Sequence, residues 1–499
     1  MNEKLIVENA ADLKIVEDSN FQKHQITGEL SRGGQGIVFK TKNPGILIKI
    51  AIEDEKSGKL VKGTTGNKEY MYLRLLPIDP HQHITLPLVI LKDYEGYVMR
   101  MLGEMETFYD HFGKCIDIEN LKTTEWLKNQ GEWKDRFTYY FITGGTRRRL
   151  EAFLKSGVAL ASLHAKGLVY CDFSQRNAFI SKDKKYCNVW LIDADNLQYE
   201  KKALCSYIYT PGLAAPEILQ LVAEFVDNIP YGQGIGAGNS FSSDTYSFAL
   251  CLFQELTFCD PFEGQAYEFA LENCEELNDV EVAKENGVFE YIDDESINEN
   301  DERYNGNSFF DDTVDFTISN ELRELFRQTF DTNKGKSFRW LRPTMVEYVM
   351  ALARSLDTVI ECPNCGMAIM RKSNSTEQCA WCDAKLPEIL RLNSYYLDEN
   401  NSKINLWQFE RVLENSIEVP LRILHGYLSN EIDDMCFNFS RDSNSYVISL
   451  VESRNVSMYL SVDGEDFQKC TSAVLKSKKF VLRIIDQGNN EIYIDGEVE

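Results

Sequence analysis

Apolar residues recur along the chain at two spacings, which predict helices in the middle and strands at the end. Between residues 148 and 166 they fall three or four positions apart and predict a long buried helix. The same spacing predicts shorter helices at residues 67–76 and 246–256. From about residue 390 onward apolar and polar residues alternate, with turn signals at 463–464 and 488–490. Six or seven short strands in this stretch predict a β-sandwich.

Short apolar runs bounded by polar turns predict strands in the first half. Residues 46–50 form one such run and residues 96–102 another. A hairpin is predicted where residues 178–180 and 189–192 flank a charged turn. Asp172 and Asn177 precede this hairpin, and Asp193 follows it. An ordinary surface hairpin with acidic turn residues gives the same local pattern, so the rest of the chain has to decide between the two interpretations.

Two carboxylates and an amide in this order suit phosphoryl transfer. In that reaction one carboxylate orients the attacking hydroxyl and accepts its proton, while an amide and a second carboxylate hold magnesium on the ATP phosphates. Upstream, Gly33, Gly34 and Gly36 lie between apolar stretches, and glycines let backbone N–H groups approach phosphates closely. Lys49 lies inside an apolar strand, where a positive charge needs a partner or an edge facing water.

Three further motifs follow. An Ala-Pro-Glu triplet ends at Glu217, a Ser-Ser-Asp triplet that opens a helix ends at Asp244, and an Arg-Pro pair before another helix begins at Arg342. Each motif alone has an ordinary explanation, such as a helix N-cap. Their occurrence together in this order has no such explanation. The series over residues 21–355 resembles the catalytic domain of the protein kinases. That resemblance implies a bilobal α+β fold that binds ATP.

The resemblance assigns catalytic roles to residues of this chain. Asp172 matches the catalytic-loop aspartate, and Asn177 and Asp193 match the magnesium ligands. Lys49 matches the lysine that pairs the ATP phosphates, and Glu69 its partner on the next helix.

Other positions are implied to bind the nucleotide or to hold the fold. The nucleotide-binding positions are Gly33, Gly34, Gly36, Val38, Met99 and Met101, with Met99 behind the adenine and the backbone near Met101 bonded to it. Glu217, Asp244 and Arg342 are implied to be structural, with Arg342 forming an ion pair with Glu217.

The chain departs from the kinase pattern near its catalytic residues. Tyr170-Cys171 stands where His-Arg is usual, which makes activation by phosphorylation of the following segment doubtful. Ser174 replaces the usual lysine, and Arg176 is predicted to reach the γ-phosphate instead. Asp195 is the second choice after Asp193 for the main metal-binding carboxylate.

Four cysteines predict a metal site. Cys362 and Cys365 form one Cys-x2-Cys pair, and Cys379 and Cys382 form a second after thirteen residues. Two such knuckles bring four thiolates to a tetrahedral zinc ion, and a closed set of this kind is structural rather than catalytic. A redox-active dithiol is the alternative interpretation of these cysteines. It needs only one Cys-x2-Cys pair and leaves the second pair unexplained.

Composition narrows the class of protein. The net charge of −25 disfavours binding to nucleic acid or to an anionic membrane. With 43% apolar residues the chain can bury a sizeable core. Thirteen scattered cysteines and a polar N-terminus without a secretory signal predict reduced thiols and a cytoplasmic location.

The predicted organisation has five parts: a lead-in at 1–20, an N-terminal kinase lobe at 21–102, a C-terminal lobe at 103–358 with an acidic insertion near 263–313, a zinc ribbon at 359–387 and a β-sandwich at 388–499. The predicted activity is that of an ATP- and magnesium-dependent protein kinase, by base rate a Ser/Thr kinase. The sandwich is predicted to bind a partner or the kinase lobe.

The architecture resembles bacterial eukaryotic-like kinases of the tellurium-resistance signalling group, which implies a von Willebrand-type or phosphatase partner. Three alternatives stay open: a pseudokinase scaffold, a small-molecule phosphotransferase, and a pure interaction protein.

Overall fold

The structure, a computed structural model, describes residues 9–34, 36–54, 56–113, 134–203, 207–219, 238–257, 260–262, 317–330, 341–371, 377–413, 416–426, 435–442, 445–451, 456–486 and 488–499. The chain forms two compact units. Unit 1 comprises Met1–Lys114, Lys155–Cys251 and Gly335–Met345, and unit 2 comprises Cys115–Leu154, Leu252–Lys334 and Val346–Glu499. Within the ranges given above, no helix is both long and apolar enough to cross a membrane. The acidic insertion predicted at 263–313 lies outside the described residues.

The elements up to residue 330 are β1 (Ile15–Glu17), β2 (Lys23–Gly33), β3 (Gly36–Thr41), β4 (Ile46–Ile50), α1 (Asn67–Leu73), β5 (Val89–Ile90), β6 (Gly96–Arg100), β7 (Met105–Thr107), α2 (Lys134–Ile142), α3 (Gly145–His164), β8 (Leu168–Val169), β9 (Ala178–Ser181), β10 (Val189–Leu191), β11 (Gln198–Tyr199), α4 (Glu200–Ala203), α5 (Phe241–Thr257) and α6 (Asn320–Phe330). The elements after it are α7 (Met345–Thr358), β12 (Ile360–Glu361), β13 (Ala368–Ile369), β14 (Ile389–Leu397), β15 (Lys403–Val412), β16 (Ser416–Pro420), α8 (Arg422–His425), β17 (Met435–Asp442), β18 (Ser445–Leu450), β19 (Ser457–Val462), β20 (Gln468–Cys470), β21 (Ser472–Leu475), β22 (Lys479–Ile485) and β23 (Glu491–Val498).

Unit 1 is built on a six-stranded antiparallel sheet in the order β1-β2-β3-β4-β6-β5. Strand β4 lies inside the sheet, and four of its five residues are buried. Ile37, Phe39, Ile48 and Val98 form part of the core beneath it. Lys49 therefore enters the protein from a buried strand, which fixes where its ammonium group can reach.

The first described residues belong to this sheet and not to a lead-in. Strand β1 pairs with β2 over three residues, and Ala10, Leu13 and Val16 are buried in the core. These residues fall within the predicted lead-in at 1–20. Acidic and polar residues separate its short apolar runs, which suggested an exposed segment, although Ala10, Leu13 and Val16 are buried.

The predicted hairpin forms, and it gains a third strand. Strands β9 and β10 pair antiparallel, with Ile180 opposite Val189, and β7 pairs with the other side of β9. The buried faces of β9 and β10 fix the positions of Asn177 before the hairpin and of Asp193 after it.

Unit 2 contains a helical layer and a β-sandwich. In the helical layer, Phe253 packs against Phe326 of α6 with ring centroids 5.3 Å apart, and Tyr348 of α7 packs against the same ring at 6.0 Å. The hydroxyls of Thr329 and Tyr348 are 2.7 Å apart. These contacts bury the apolar side of α6 against α7 and α5.

The alternating C-terminal pattern forms two sheets. One has the order β15-β14-β23-β22-β19-β20 and the other the order β16-β17-β18-β21. Phe439 of the smaller sheet stacks on Phe480 of the larger one, with centroids 5.7 Å apart. Gly496 makes room for that ring, because a Cβ at this position would lie 2.2 Å from it. The predicted mixture of helix and sheet is present, and the described residues after 388 form strands and the short helix α8.

Hydrogen bonds hold helix α7 against the sandwich within unit 2. Asp357 is fully buried near the end of α7, and its carboxylate accepts two hydrogen bonds of 2.5 Å from Arg422 of α8. Trp407 Nε1 donates a third bond of 2.8 Å to the same carboxylate. Arg411 of β15 donates to the carbonyl oxygens of Leu356 and Asp357, which caps the C-terminal end of the helix.

Candidate functional site

Asp172 is held in a fixed orientation in unit 1. Its Oδ2 accepts a hydrogen bond of 3.0 Å from Asn177 Nδ2, which also donates to the Asp172 carbonyl at 2.8 Å. Its Oδ1 accepts a bond of 2.7 Å from Thr210 Oγ1. Burial raises the pKa of Asp172, and the bonds from Thr210 and Asn177 oppose that effect. The result is a partly buried carboxylate that already binds one hydroxyl group.

Thr210 is a contact that the sequence prediction missed. It lies between Asp193 and Glu217, in the segment that the resemblance implied would precede the Ala-Pro-Glu triplet. A hydroxyl-bearing residue in that segment was the available signal, but no spacing rule singled it out among its neighbours.

The backbone before Asp172 is anchored by Asp244 from the first turn of α5. The Asp244 carboxylate accepts hydrogen bonds from the N–H groups of Tyr170 at 2.7 Å and Cys171 at 2.9 Å. His164 Nε2 lies 3.0 Å from the same carboxylate. Cys171 adopts a positive φ of 73°, a strained conformation for a residue with a side chain. Asp244 thus holds the turn that presents Asp172.

Lys49 makes two ion pairs across unit 1. Its Nζ lies 3.1 Å from Asp193 Oδ1 and 2.8 Å from Asp195 Oδ2. Burial alone would lower the pKa of Lys49, but the neighbouring Tyr97, Asp195 and Asp193 outweigh it and raise that pKa well above its usual value. The lysine therefore stays charged inside the fold and joins strand β4 to the segment after β10.

Glu69 is not the partner of Lys49, contrary to the prediction. It lies on the exposed side of the short helix α1. The buried side carries Tyr70, whose ring packs 4.8 Å from that of Tyr97, directly across the sheet from Lys49. Burial and the Asp195 carboxylate raise the pKa of Tyr70 to about 12, so its hydroxyl stays neutral.

The glycine hairpin has open space at two of its glycines. Gly33 and Gly36 pair at the tip of β2 and β3. A Cβ on Gly36 would lie 2.7 Å from the Ile50 carbonyl oxygen, so this glycine is required by the sheet itself. A Cβ on Gly33 or Gly34 would have nothing within 4 Å among the described atoms. Those two glycines leave the hairpin tip open, whereas Val38 lies opposite Lys49 in the sheet.

The two methionines predicted to lie near the adenine are on strand β6 and just after its end. Met99 is partly buried on β6, paired with Leu47. The N–H of Met101 donates a 3.0 Å hydrogen bond to the Gly45 carbonyl oxygen, so that donor is already used inside the protein. An adenine ring would need a different backbone donor near this position, because Met101 continues the pairing of β6 with the turn before β4.

Arg176 and Ser174 lie beside Asn177. The Arg176 guanidinium lies over the ring of Tyr109, 3.9 Å from its centroid, and the residue is exposed. Ser174 is buried, and its Oγ has no hydrogen-bond partner in the part of the chain that is described. Cation–π contact with Tyr109 therefore holds the side chain that was predicted to reach the γ-phosphate.

Glu217 and Arg342 form a buried two-point ion pair. Arg342 Nη1 donates to Glu217 Oε1 at 2.7 Å and Arg342 Nη2 to Oε2 at 2.9 Å. Both side chains are at most 3% exposed. The guanidinium also lies over the Tyr246 ring of α5, which connects three segments distant in the sequence. The structure brings together the two residues that the sequence paired.

Replacing Glu217 with glutamine should lower the free energy of unfolding by about 3–5 kcal/mol, because the change leaves Arg342 buried without its counter-charge. The midpoint of urea unfolding measures this loss. Glu324→Gln is the matched control, since Glu324 pairs with Arg327 on the surface of α6 with 47% of its side chain exposed. Such a surface pair should contribute less than about 1 kcal/mol. Equal losses in the two variants would contradict the prediction.

The four cysteines of unit 2 converge on one point. Their sulfur atoms all lie within 4.8 Å of one another. Cys362 Sγ lies 3.8 Å from Cys382 Sγ, and Cys365 Sγ lies 3.7 Å from Cys379 Sγ. Tetrahedral zinc with bonds of about 2.3 Å to sulfur places its ligands about 3.8 Å apart, whereas a disulfide needs about 2.0 Å. The donor set and spacing therefore fit zinc.

The residues around Lys49 also fit magnesium. Asp195 Oδ1 is a buried carboxylate oxygen without a hydrogen-bond partner in the described ranges. Asp193 is one-third exposed and adopts a positive φ of 55°. It follows Ile192, whose N–H donates to the Asn177 carbonyl oxygen. Carboxylate and amide oxygens are the ligands that magnesium prefers. Asn177, Asp193 and Asp195 are the residues that would hold it.

Of the comparisons with known proteins, the one with solved structures found similar chains. No protein-family model matches the chain, and neither does any curated protein. Among solved structures, a rhoptry kinase from Toxoplasma gondii is similar, with a TM-score of 0.41 and 14% sequence identity over 69% of this chain and 83% of that one. The chain thus has a kinase among its structural neighbours, at a similarity too low to carry an activity across.

Proposed function

We propose that the chain is an ATP- and magnesium-dependent protein kinase that transfers the γ-phosphate to serine or threonine hydroxyls. The observation that carries the proposal is the placement of Asp172, whose carboxylate is held by Asn177 and binds the hydroxyl of Thr210. A carboxylate that binds a side-chain hydroxyl in this way is suited to orient an acceptor hydroxyl and to take its proton.

The remaining catalytic roles are assigned to other residues of the chain. Lys49, charged and buried, supplies a positive group from the strand that pairs with β3 of the glycine hairpin. Asn177 and Asp193 are the proposed magnesium ligands, with Asp195 as an additional carboxylate. Magnesium held by these residues would supply positive charge to the phosphates. Asp172 positions the hydroxyl for in-line attack, and Arg176 is proposed to offset charge on the phosphoryl oxygens.

The biological setting is part of the same proposal. The sequence resemblance supports a bacterial signalling kinase whose partners include a von Willebrand-type protein or a phosphatase. The C-terminal sandwich is proposed as its docking module, because it carries no cluster of catalytic residues in the described ranges. A protein substrate, and neither nucleic acid nor membrane, fits the charge of −25.

The transfer rate should depend on pH through Asp172. Only the ionised carboxylate can accept a proton, and burial raises its pKa above the usual value of about 3.9. The rate should therefore rise with pH through that higher pKa and then level off. Thr210→Val removes a hydrogen bond that opposes the raised pKa, so it should move the acidic limb of the kcat/KM profile to higher pH, and Thr210→Ser should restore it. An acidic limb unchanged by Thr210→Val would contradict this assignment.

The direct experiment measures transfer of labelled γ-phosphate from ATP in the presence of magnesium. The acceptors are the chain itself and a basic test protein. Label on serine or threonine supports the proposal, and label on tyrosine would revise the acceptor.

A pseudokinase scaffold is the alternative that one observation favours, because Lys49 pairs with Asp193 and Asp195 rather than with Glu69. Nucleotide-dependent thermal stabilisation without any transfer would support that scaffold or a small-molecule phosphotransferase.

A further inference from the structure

The segment that brings Thr210 to Asp172 is held by contacts from other parts of unit 1. In the described range 207–219, residues 207–210 belong to no helix or strand. Thr210 nevertheless donates a hydrogen bond of 2.7 Å to Asp172. Backbone groups outside regular structure need hydrogen-bond partners from elsewhere in the fold. The position of Thr210 therefore depends on what binds the backbone of this segment.

The side chain of Asn239 binds that backbone at Ile208. Asn239 is 2% exposed. Its Nδ2 donates to the Ile208 carbonyl oxygen at 2.8 Å, and its Oδ1 accepts from the Ile208 N–H at 2.8 Å. The amide thus pairs with both backbone groups of one residue, as a neighbouring β-strand would. Ile208 lies two residues before Thr210, so this pairing fixes the segment close to the hydroxyl that binds Asp172.

The same amide reaches the loop that carries Asp172. Asn239 Nδ2 also donates to the Cys171 carbonyl oxygen at 3.2 Å, and the Asp244 carboxylate accepts from the Cys171 N–H at 2.9 Å. Both backbone groups of Cys171 are therefore bonded to side chains from residues 239–244. A positive φ such as the 73° of Cys171 persists only where its surroundings impose it. Asn239 and Asp244 together impose it here.

Asn239 itself has a fixed place, directly before the capped start of α5. Ser240 Oγ accepts from the Ser243 N–H at 3.3 Å, and Ser243 Oγ accepts from the Ser240 N–H at 2.8 Å. This reciprocal pair fixes the entry of the chain into the helix. The two residues that Asn239 joins also pack in one small apolar cluster, which contains Val169, Cys171, Ile208 and Phe241. Apolar surroundings strengthen the hydrogen bonds of the amide.

We propose that Asn239 is a positioning residue that fixes Asp172 and Thr210 relative to each other for phosphoryl transfer. It acts through the Cys171 carbonyl and the Ile208 backbone rather than by touching a reacting atom. Asn239 belongs to none of the motifs on which the kinase resemblance rests. The inference depends on the proposed function, because it concerns the placement of Asp172 in that reaction.

Asn239→Ala tests this role, because it removes all three hydrogen bonds. Initial rates of γ-phosphate transfer should show kcat lowered by about ten- to a hundredfold, the loss expected when a reacting group is misplaced by a fraction of an ångström to one ångström. The KM for ATP should stay unchanged, because Lys49 and the glycine hairpin keep their contacts. A kcat equal to that of the wild type in folded Asn239→Ala would overturn the proposal.

Asn67→Ala is the matched control for stability. Asn67 is 1% exposed, and its Nδ2 donates to the carbonyl oxygens of Leu91 and Tyr94 at 2.9 and 3.0 Å. Its Oδ1 accepts from the Gly96 N–H at 2.8 Å. These are the same three kinds of bond that Asn239 makes. The urea midpoint should therefore fall in both variants, but kcat only in Asn239→Ala. An equal loss of kcat in Asn67→Ala would reduce the role of Asn239 to general stability.

Hydrogen exchange of the Ile208 N–H keeps the test decisive if Asn239→Ala fails to fold. In the wild type this N–H should exchange at least about a hundredfold more slowly than an exposed amide, because its acceptor is buried. Rapid exchange in a wild type that transfers phosphate would overturn the inference and leave the proposed function standing. Slow exchange in a wild type that transfers none would reject the proposed function, and with it the role of Asn239 in transfer.

Discussion

Replacing Asp172 with asparagine is expected to reduce phosphoryl transfer by at least about a hundredfold, and by as much as about ten thousandfold, while the fold stays intact. The loss follows from removing the group that accepts the proton of the attacking hydroxyl, a contribution of that size in general-base catalysis. Asparagine keeps the shape of the side chain and an oxygen that can accept from Thr210, and it gives up one hydrogen bond, the 3.0 Å bond from Asn177 Nδ2. The stability of unit 1 should therefore change little.

Initial rates of γ-phosphate transfer, measured with saturating ATP, give kcat for the wild type and the variant. Asp183→Asn is the matched control, since Asp183 is an exposed carboxylate in the turn of the same hairpin and accepts only a local bond from the Lys185 N–H. Its rate should equal that of the wild type. Nucleotide-dependent thermal stabilisation should survive in both variants. A transfer rate that survives in Asp172→Asn would exclude this residue as the base.

The sequence could predict contacts that belong to a fixed local geometry. Asp172 and Asn177 are five residues apart in one turn, so their hydrogen bond follows from a short motif. The pairing of Glu217 with Arg342 spans 125 residues, yet each lies at the end of a recognisable motif that fixes its place. Periodicity likewise predicted the long helix α3, and two short apolar runs around a charged turn predicted the hairpin of β9 and β10.

Contacts that depend on competition between similar groups could not be predicted. Lys49 had three candidate carboxylates, on Glu69, Asp193 and Asp195, and no spacing in the sequence chooses among them. The choice is made by packing, because Tyr70 takes the buried side of α1 and leaves Glu69 exposed. Met101 is a similar case, since the use of its N–H by Gly45 depends on the register of neighbouring strands.

The sandwich also has features that the sequence predicts and features that it does not. Alternation identifies which residues of a strand face the core, and the buried residues of β22 and β23 alternate as expected. Alternation does not identify the neighbour of a strand. Strand β23, the last in the chain, pairs with β14 on one side and β22 on the other. That order is set by the packing of two sheets, which a local pattern does not contain.

Replacing Cys365 with serine is expected to remove zinc from the chain and to destabilise unit 2. Binding free energies of structural zinc reach about 10–16 kcal/mol, as large as the whole stability of a typical domain. The short pair β12 and β13 has little core of its own without the metal. Its buried residues instead join a cluster with Tyr140 of α2 and Ile389 of β14, so loss of the metal should loosen their packing as well.

The zinc content per chain and the melting temperature measure this effect. The wild type should contain one zinc ion, and Cys365→Ser should contain little and melt at a lower temperature. Cys470→Ser is the control, because Cys470 is a partly exposed thiol on β20 outside the cluster. It should keep both the metal and the melting temperature. Cys365 Sγ lies 3.7 Å from Cys379 Sγ, a separation that suits two ligands of one tetrahedral zinc ion, so full zinc content in Cys365→Ser would mean that the metal is held by other residues.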